Sequence, residues 1–193
     1  MKHVRSYLEQ TGQIAEQIDA DSIDRMVFAL GCLSDLTDGR LFIVGLGGSA
    51  ANASHAAADF RKITSIHATC LSDSVAELTA RANDEGWAMM YADALTAQRP
   101  KERDCLMVLS VGGGTLEVSR PLIEVIKRAR EFGMRVLGIV GRDGGYTKAH
   151  GDCVVVVPTV DPERVTPHAE GWQGVVLHCL VSHPSLQVNK TKW

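Results

Sequence analysis

Four short apolar runs restrict what this chain can become more than any other feature of it. They are Arg40-Leu41-Phe42-Ile43-Val44-Gly45, Leu106-Met107-Val108-Leu109-Ser110, Val136-Leu137-Gly138-Ile139-Val140-Gly141 and Val154-Val155-Val156-Val157-Pro158. Each lacks the polar alternation of a half-exposed strand. A strand that is apolar at successive positions is buried on both faces, as in a parallel sheet covered by helices. Ile66-His67-Ala68-Thr69-Cys70-Leu71 is a weaker fifth run. Helical patterns fill the gaps over 49–62, 74–82, 87–98, 117–132 and 168–182. Before the first run, Val4, Leu8, Ile14 and Ile18, then Ile23, Met26, Val27, Leu30 and Leu33, predict two helices within residues 4–36, the second capped by Asp21 or Ser22. The alternation predicts an α/β fold: a three-layer, doubly wound sandwich with a five-stranded parallel sheet, N-terminal helices, and ligands at the carboxyl ends of the strands.

The 193 residues contain no linker, repeat or low-complexity segment, so one domain over 1–193 is expected. A net charge of −3 without any block of like charge gives no footprint for nucleic acid or an anionic membrane. No apolar run approaches the length of a spanning helix. Cys32, Cys70, Cys105, Cys153 and Cys179 are scattered and odd in number, which reads as reduced thiols. The polar opening residues are not a signal peptide, so the cytoplasm is the expected location.

Gly45-Leu46-Gly47-Gly48-Ser49-Ala50-Ala51-Asn52 joins the first apolar run to a helix. Glycines there let the backbone approach a ligand, and a helix N-terminus offers free N–H groups to an anion. The loop is a GxGxxA variant of the dinucleotide fingerprint, but the acidic residue that should end the next strand is missing. It also lacks the lysine of a P-loop. A second glycine- and hydroxyl-rich turn, Ser110-Val111-Gly112-Gly113-Gly114-Thr115, follows another core strand. Two such turns on neighbouring strands can converge on one small tetrahedral anion, as a sugar phosphate requires. Neither holds a basic residue, so hydroxyls and backbone amides would make the grip, and no nucleotide cofactor is expected.

The order and spacing of these segments resemble those of the phosphoheptose isomerases, members of the sugar isomerase (SIS) domain family. The similarity runs from Gly45 to His55 and through Leu71-Ser72-Asp73, Asn83-Asp84, Ser110–Thr115 and Gly141-Arg142-Asp143-Gly144-Gly145, covering about residues 5–183. It implies a five-stranded parallel sheet and a homo-oligomer, dimer or tetramer, with active sites between subunits. Residues 1–36 would pack at the oligomer interface, and 37–183 would form the phosphosugar-binding core; Trp172 and Trp193 are expected to pack at subunit contacts rather than to stack on a sugar. Gly47, Gly48, Ser49, Asn52, Ser110, Gly112, Gly113 and Thr115 would then hold the phosphate, with Asp84 beside the sugar hydroxyls.

His55 and Asp59 stand four apart on the helix opened by the first loop, on one face, separated by three alanines. Glu170 and His178 share a late helical segment. Imidazole and carboxylate together suit the proton transfer of an aldose–ketose isomerisation through an enediol. The resemblance assigns Asp59 as base and His178 as acid, and makes His55, Asp59, Glu170 and His178 candidate ligands for Zn2+, a set zinc accepts. Eight residues of continuous helix would hold Glu170 about 12 Å from His178, too far to share an ion unless the helix bends or subunits share ligands. Three positions depart from the family pattern: Asp59 replaces glutamate, Gly112 a serine, and Glu170 a glutamine. The predicted activity is interconversion of sedoheptulose 7-phosphate and D-glycero-D-manno-heptose 7-phosphate. Its rivals are a non-catalytic regulator of the same fold, binding a sugar phosphate or a replication initiator, and a nucleotide-binding oxidoreductase.

Overall fold

The structure is a computed structural model and describes residues 2–34 and 38–190. Its elements run α1 (Lys2–Gln17), α2 (Ala20–Ser34), β1 (Arg40–Gly45), α3 (Gly48–Asp59), β2 (His67–Cys70), α4 (Val75–Asp84), α5 (Met90–Ala97), β3 (Cys105–Ser110), α6 (Arg120–Glu131), β4 (Arg135–Val140), α7 (Gly145–His150), β5 (Cys153–Val156) and α8 (Val165–Val181). Beyond Asp59 the α3 helix widens into a π-helical turn, Phe60–Thr64.

All five strands are parallel, in the order β2-β1-β3-β4-β5. The chain leaves β1 to one side for β2, then returns to place β3 on the other. That reversal opens a crevice between the carboxyl ends of β1 and β3, where ligands bind in such sheets. Strand residues alternate strictly between two cores. Leu41, Ile43, Met107, Leu109, Leu137 and Ile139 pack with α2, α3 and α8, while Phe42, Val44, Leu106, Val108 and Val136 pack with α5 and α6. Both faces are covered, which is why the strands read as continuous apolar runs. Each fully buried Leu or Ile contributes about 1.5–3 kcal/mol to holding the layers together.

All five predicted strands are present. Three details differ from the sequence reading. The cap of α2 is Asp19: its Oδ1 accepts from the Ser22 N–H at 3.2 Å, so neither Asp21 nor Ser22 takes that role. The short α7 lies between Gly144 and Gly151, too brief to leave a periodic signal. Trp172, expected at a subunit contact, is 9% exposed and belongs to the chain's own core. Trp193, for which the same contact was expected, lies outside the described residues. No described helix is long and apolar enough to cross a membrane.

Candidate active site

The first loop is anchored from below by Tyr91 on α5, whose buried hydroxyl donates to the Gly45 carbonyl at 2.6 Å. Burial pushes the Tyr91 phenol up to about 12, so it stays protonated and keeps donating. From this fixed point the chain turns through Gly47 and starts α3 at Gly48. The loops after β1, β3 and β4 then close around a cleft of about 620 Å³. Ser49, Ser110, Gly112 and Thr115 all line it, so the two hydroxyl-bearing turns do face one space.

Arg142, from the loop after β4, lines the same cleft, and a Cβ placed on Gly112 would lie 3.8 Å from its Cδ. A guanidinium, with the Asp143 carboxylate beside it, therefore borders the cleft together with the hydroxyls, where hydroxyls and backbone amides alone were expected. The arginine sits inside the Gly141–Gly145 segment, but nothing in a single sequence shows that this third loop reaches the other two. Its backbone is left-handed, φ 52°, as is that of Ser119, φ 64°, which also borders the cleft. Such conformations cost a non-glycine residue of order 1 kcal/mol and concentrate at functional sites.

The other expected phosphate ligands are placed differently. Gly47 borders an adjoining cleft of about 410 Å³, with Asp73 and Trp87. Gly48 is covered by the Glu170 carboxylate, and a Cβ there would fall 2.5 Å from Glu170 Oε2. An anionic side chain thus already occupies the start of α3, where the helix dipole favours it. Gly113 faces away from the cleft: its φ is 70° and a Cβ would collide with the Gly144 carbonyl oxygen. The Asn52 amide is committed to the Glu170 carbonyl oxygen and to Gln173, each at 2.9 Å. Asp84 ends α4, where its carboxylate accepts from Asn83, and it lines neither cleft.

Two turns beyond Ser49 on α3, three side chains meet. His55 Nε2 lies 3.0 Å from His178 Nε2 and 3.2 Å from Asp59 Oδ2, and His178 Nε2 lies 3.7 Å from that oxygen. The Asp59 side chain, though a methylene shorter than glutamate, reaches both imidazoles. Tetrahedral zinc with bonds of 2.0–2.2 Å separates its ligand atoms by about 3.3–3.6 Å, and the sides of this triangle come within about 0.3 Å of that range. The three residues can hold a metal ion, and the ion's fourth side would remain open. Glu170 is not among them. Helix α8 runs unbroken from Val165 to Val181, so no bend brings Glu170 to His178, and its carboxylate rests near Gly48 instead. The four-ligand set reduces to three within one chain.

The family model of the SIS domain matches residues 6–141. The chain belongs to the SIS domain family. SIS relatives include a phosphoheptose isomerase of Helicobacter pylori, 34% identical over 66% of this chain and 66% of that protein. Another is the phosphoheptose isomerase of Chlorobium phaeobacteroides, 40% identical over 63% of this chain and 55% of that one. The aligned stretch thus spans less than two thirds of the length of these relatives. The lincomycin biosynthesis protein LmbN of Streptomyces lincolnensis is 30% identical over 93% of this chain and 68% of its own length. Among solved structures, the phosphoheptose isomerase GmhA from Neisseria gonorrhoeae superimposes with a TM-score of 0.80 at 27% identity, covering 93% of this chain and 96% of that one.

Proposed function

We propose that this SIS domain is an aldose–ketose isomerase of sugar phosphates, acting between sedoheptulose 7-phosphate and D-glycero-D-manno-heptose 7-phosphate. The observation that carries the reading is the pairing on one helix. Ser49 at the start of α3 lines a cleft with Ser110, Thr115 and Arg142, and His55 and Asp59 further along α3 meet His178. The relatives named phosphoheptose isomerase supply the substrate class.

In this reading Arg142 and the three hydroxyls bind the phosphate, a charge-assisted contact set that fixes the far end of the sugar. The carbonyl end then lies toward the His55–Asp59–His178 cluster. Asp59 takes the proton from the carbon beside the carbonyl, giving the enediol, and returns it to the neighbouring carbon. His178 donates a proton to the carbonyl oxygen as the enediol forms and takes one from the neighbouring hydroxyl as that oxygen becomes the new carbonyl. Zinc held by His55, Asp59 and His178 would polarise the carbonyl as a Lewis acid, taking over the stabilisation of that oxygen from the His178 proton. The Asp59 carboxylate has two oxygens, so one can face the ion while the other serves as base.

The imidazole side chains are 57% and 62% exposed, against 14% for Asp59. An enediol needs shelter from water, and a second copy of the chain would provide it. Val4 and Leu8, 63% and 64% exposed and one turn apart on α1, give such a copy an apolar surface to bury. The proposed assembly is therefore a homo-oligomer with residues 1–36 at the contact.

The test is turnover of sedoheptulose 7-phosphate by chelator-treated protein, with and without added zinc. Isomerisation that zinc raises supports the whole reading. Turnover unaffected by metal removes the zinc. Absence of turnover under both conditions, with the sugar phosphate still bound, removes the enzyme.

A further inference from the structure

Gln173 is fully buried on α8, absent from the sequence reading, and does not line the cleft. Its amide lies between two side chains of α3. Gln173 Oε1 accepts from Asn52 Nδ2 at 2.9 Å, and Gln173 Nε2 donates to Ser49 Oγ at 3.1 Å. The direction of this chain of bonds is fixed at one end. The Asn52 amide also faces the backbone carbonyl oxygen of Glu170, which can only accept. The Asn52 atom there must therefore be nitrogen. That nitrogen's second proton goes to Gln173, so the facing Gln173 atom must be oxygen. Gln173 then presents its own nitrogen to Ser49, and the Ser49 oxygen must accept.

A serine hydroxyl has a single proton. Since Gln173 occupies the Ser49 oxygen as a donor, and no described residue accepts from that hydroxyl, its proton is left for the cleft it borders. We infer that Gln173 and Asn52 are positioning residues, a relay that makes Ser49 an obligatory hydrogen-bond donor toward an anion in the cleft. The same logic is repeated with backbone parts elsewhere in the site. Ser110 Oγ accepts from the Gly113 N–H at 3.0 Å, leaving its hydroxyl a proton to give, whereas Thr115 Oγ1 accepts from the Val118 N–H at 3.0 Å and turns its own proton to the Val118 carbonyl oxygen at 3.5 Å. Ser49 lies inside the first turn of α3, where no loop N–H reaches its oxygen, and the α8 side chain does that work. The outcome is selectivity by sign: the Ser49 and Ser110 oxygens, which would otherwise be indifferent donors or acceptors, both point protons at the ligand. Gln173 itself never touches the ligand.

The inference rests on the proposed phosphate site. The experiment measures dissociation constants of inorganic phosphate and of sedoheptulose 7-phosphate by calorimetry at pH 8, on the full chain, with melting temperature recorded for every variant. Gln173→Met keeps the side chain's length and removes the donor; about 3–10-fold weaker phosphate binding is expected as Ser49 becomes free to turn. Gln173→Glu offers an acceptor that captures the Ser49 proton, and a loss of about tenfold or more is expected. In a Ser49→Ala background, Gln173→Met should have no further effect on affinity, whereas a merely structural glutamine would weaken binding equally in both backgrounds. Asn52→Leu, which releases the Gln173 amide to flip, should reproduce the Gln173→Met loss. Unchanged phosphate affinity in Gln173→Met and Gln173→Glu, or equal effects with and without Ser49, overturns the relay while leaving the phosphate site standing. Failure of the unaltered chain to bind either ligand overturns both.

Discussion

The cleft at the strand ends and the histidine cluster on the side of α3 are built to different degrees of completion. In the cleft, Ser49 and Ser110 are 1% and 6% exposed, and the hydroxyls of Ser49, Ser110 and Thr115 each accept a bond from within the same chain. In the cluster the two imidazoles are more than half exposed and only Asp59 is shielded. In the proposed reading, the difference teaches that recognition rests on elements fixed in the sheet's own core, while chemistry falls to exposed imidazoles that a second copy would cover. Substitutions should separate the two: changes at the cluster should spare stability and remove activity, and changes in the loops should do the reverse or shift affinity alone.

The largest expected effect is at the cluster. His178→Ala or Asp59→Asn should lower kcat for sedoheptulose 7-phosphate by about 10²–10⁴-fold, the usual scale for loss of a general acid or base. Melting temperature should move little for His178→Ala, since an exposed imidazole contributes little packing. A large fall in melting temperature with kcat intact would reverse the comparison. Next is Gly113→Ala, where the added Cβ meets the Gly144 carbonyl and φ is 70°. Thermal or denaturant unfolding should show a loss of about 2–4 kcal/mol, because both backbone and neighbour must shift. Gly112→Ser is the smaller, opposite case: its Cβ has open space, with Arg142 Cδ at 3.8 Å. The added hydroxyl should tighten phosphate binding by about 2–10-fold without a stability cost, as measured by calorimetry.

The smallest effect concerns the link between α1 and α8. His168 is buried, its Nε2 lies 2.9 Å from Gln10 Oε1, and its ring stacks on Tyr7 with centroids 4.4 Å apart. Burial first, then the Arg164 charge, hold its imidazole below the ordinary value of 6.5. The unfolded chain therefore binds the proton more readily than the folded one. Stability from this residue is complete above pH 6.5 and declines as pH falls below that value. His168→Gln should flatten that slope in pH-dependent melting curves; an unchanged slope would show that His168 does not drive it.

Much of this was open to reading from the chain alone, and for identifiable reasons. The five strands were legible because both-sided burial writes itself as unbroken apolar runs. The pairing of His55 with Asp59 was legible because four residues of helix return to one face. The separation of Glu170 from His178 was likewise helical arithmetic, since eight residues cannot fold back without a break. What stayed hidden was contact between segments far apart in sequence. Arg142 lies 93 positions after Ser49 in the chain yet shares its cleft. Gln173 looked like one more residue of an apolar helix, because hydrogen-bond direction depends on partners that only packing supplies. The reach of Asp59 to His178 was undecidable from side-chain length, since it turns on how closely α3 and α8 approach.

The sequence by itself determined the layering, the strand order's need for a crossover, and the types of side chain brought to the ends of β1 and β3. Periodicity and glycine placement are local properties, and local properties suffice for those. The tertiary structure alone decided which groups share a volume: that a guanidinium joins the hydroxyls, that a carboxylate covers Gly48, and that a buried amide turns the Ser49 proton outward. Those outcomes depend on distances of about 3 Å between helices and loops joined only through the sheet, and hydrogen bonds fall away beyond that range.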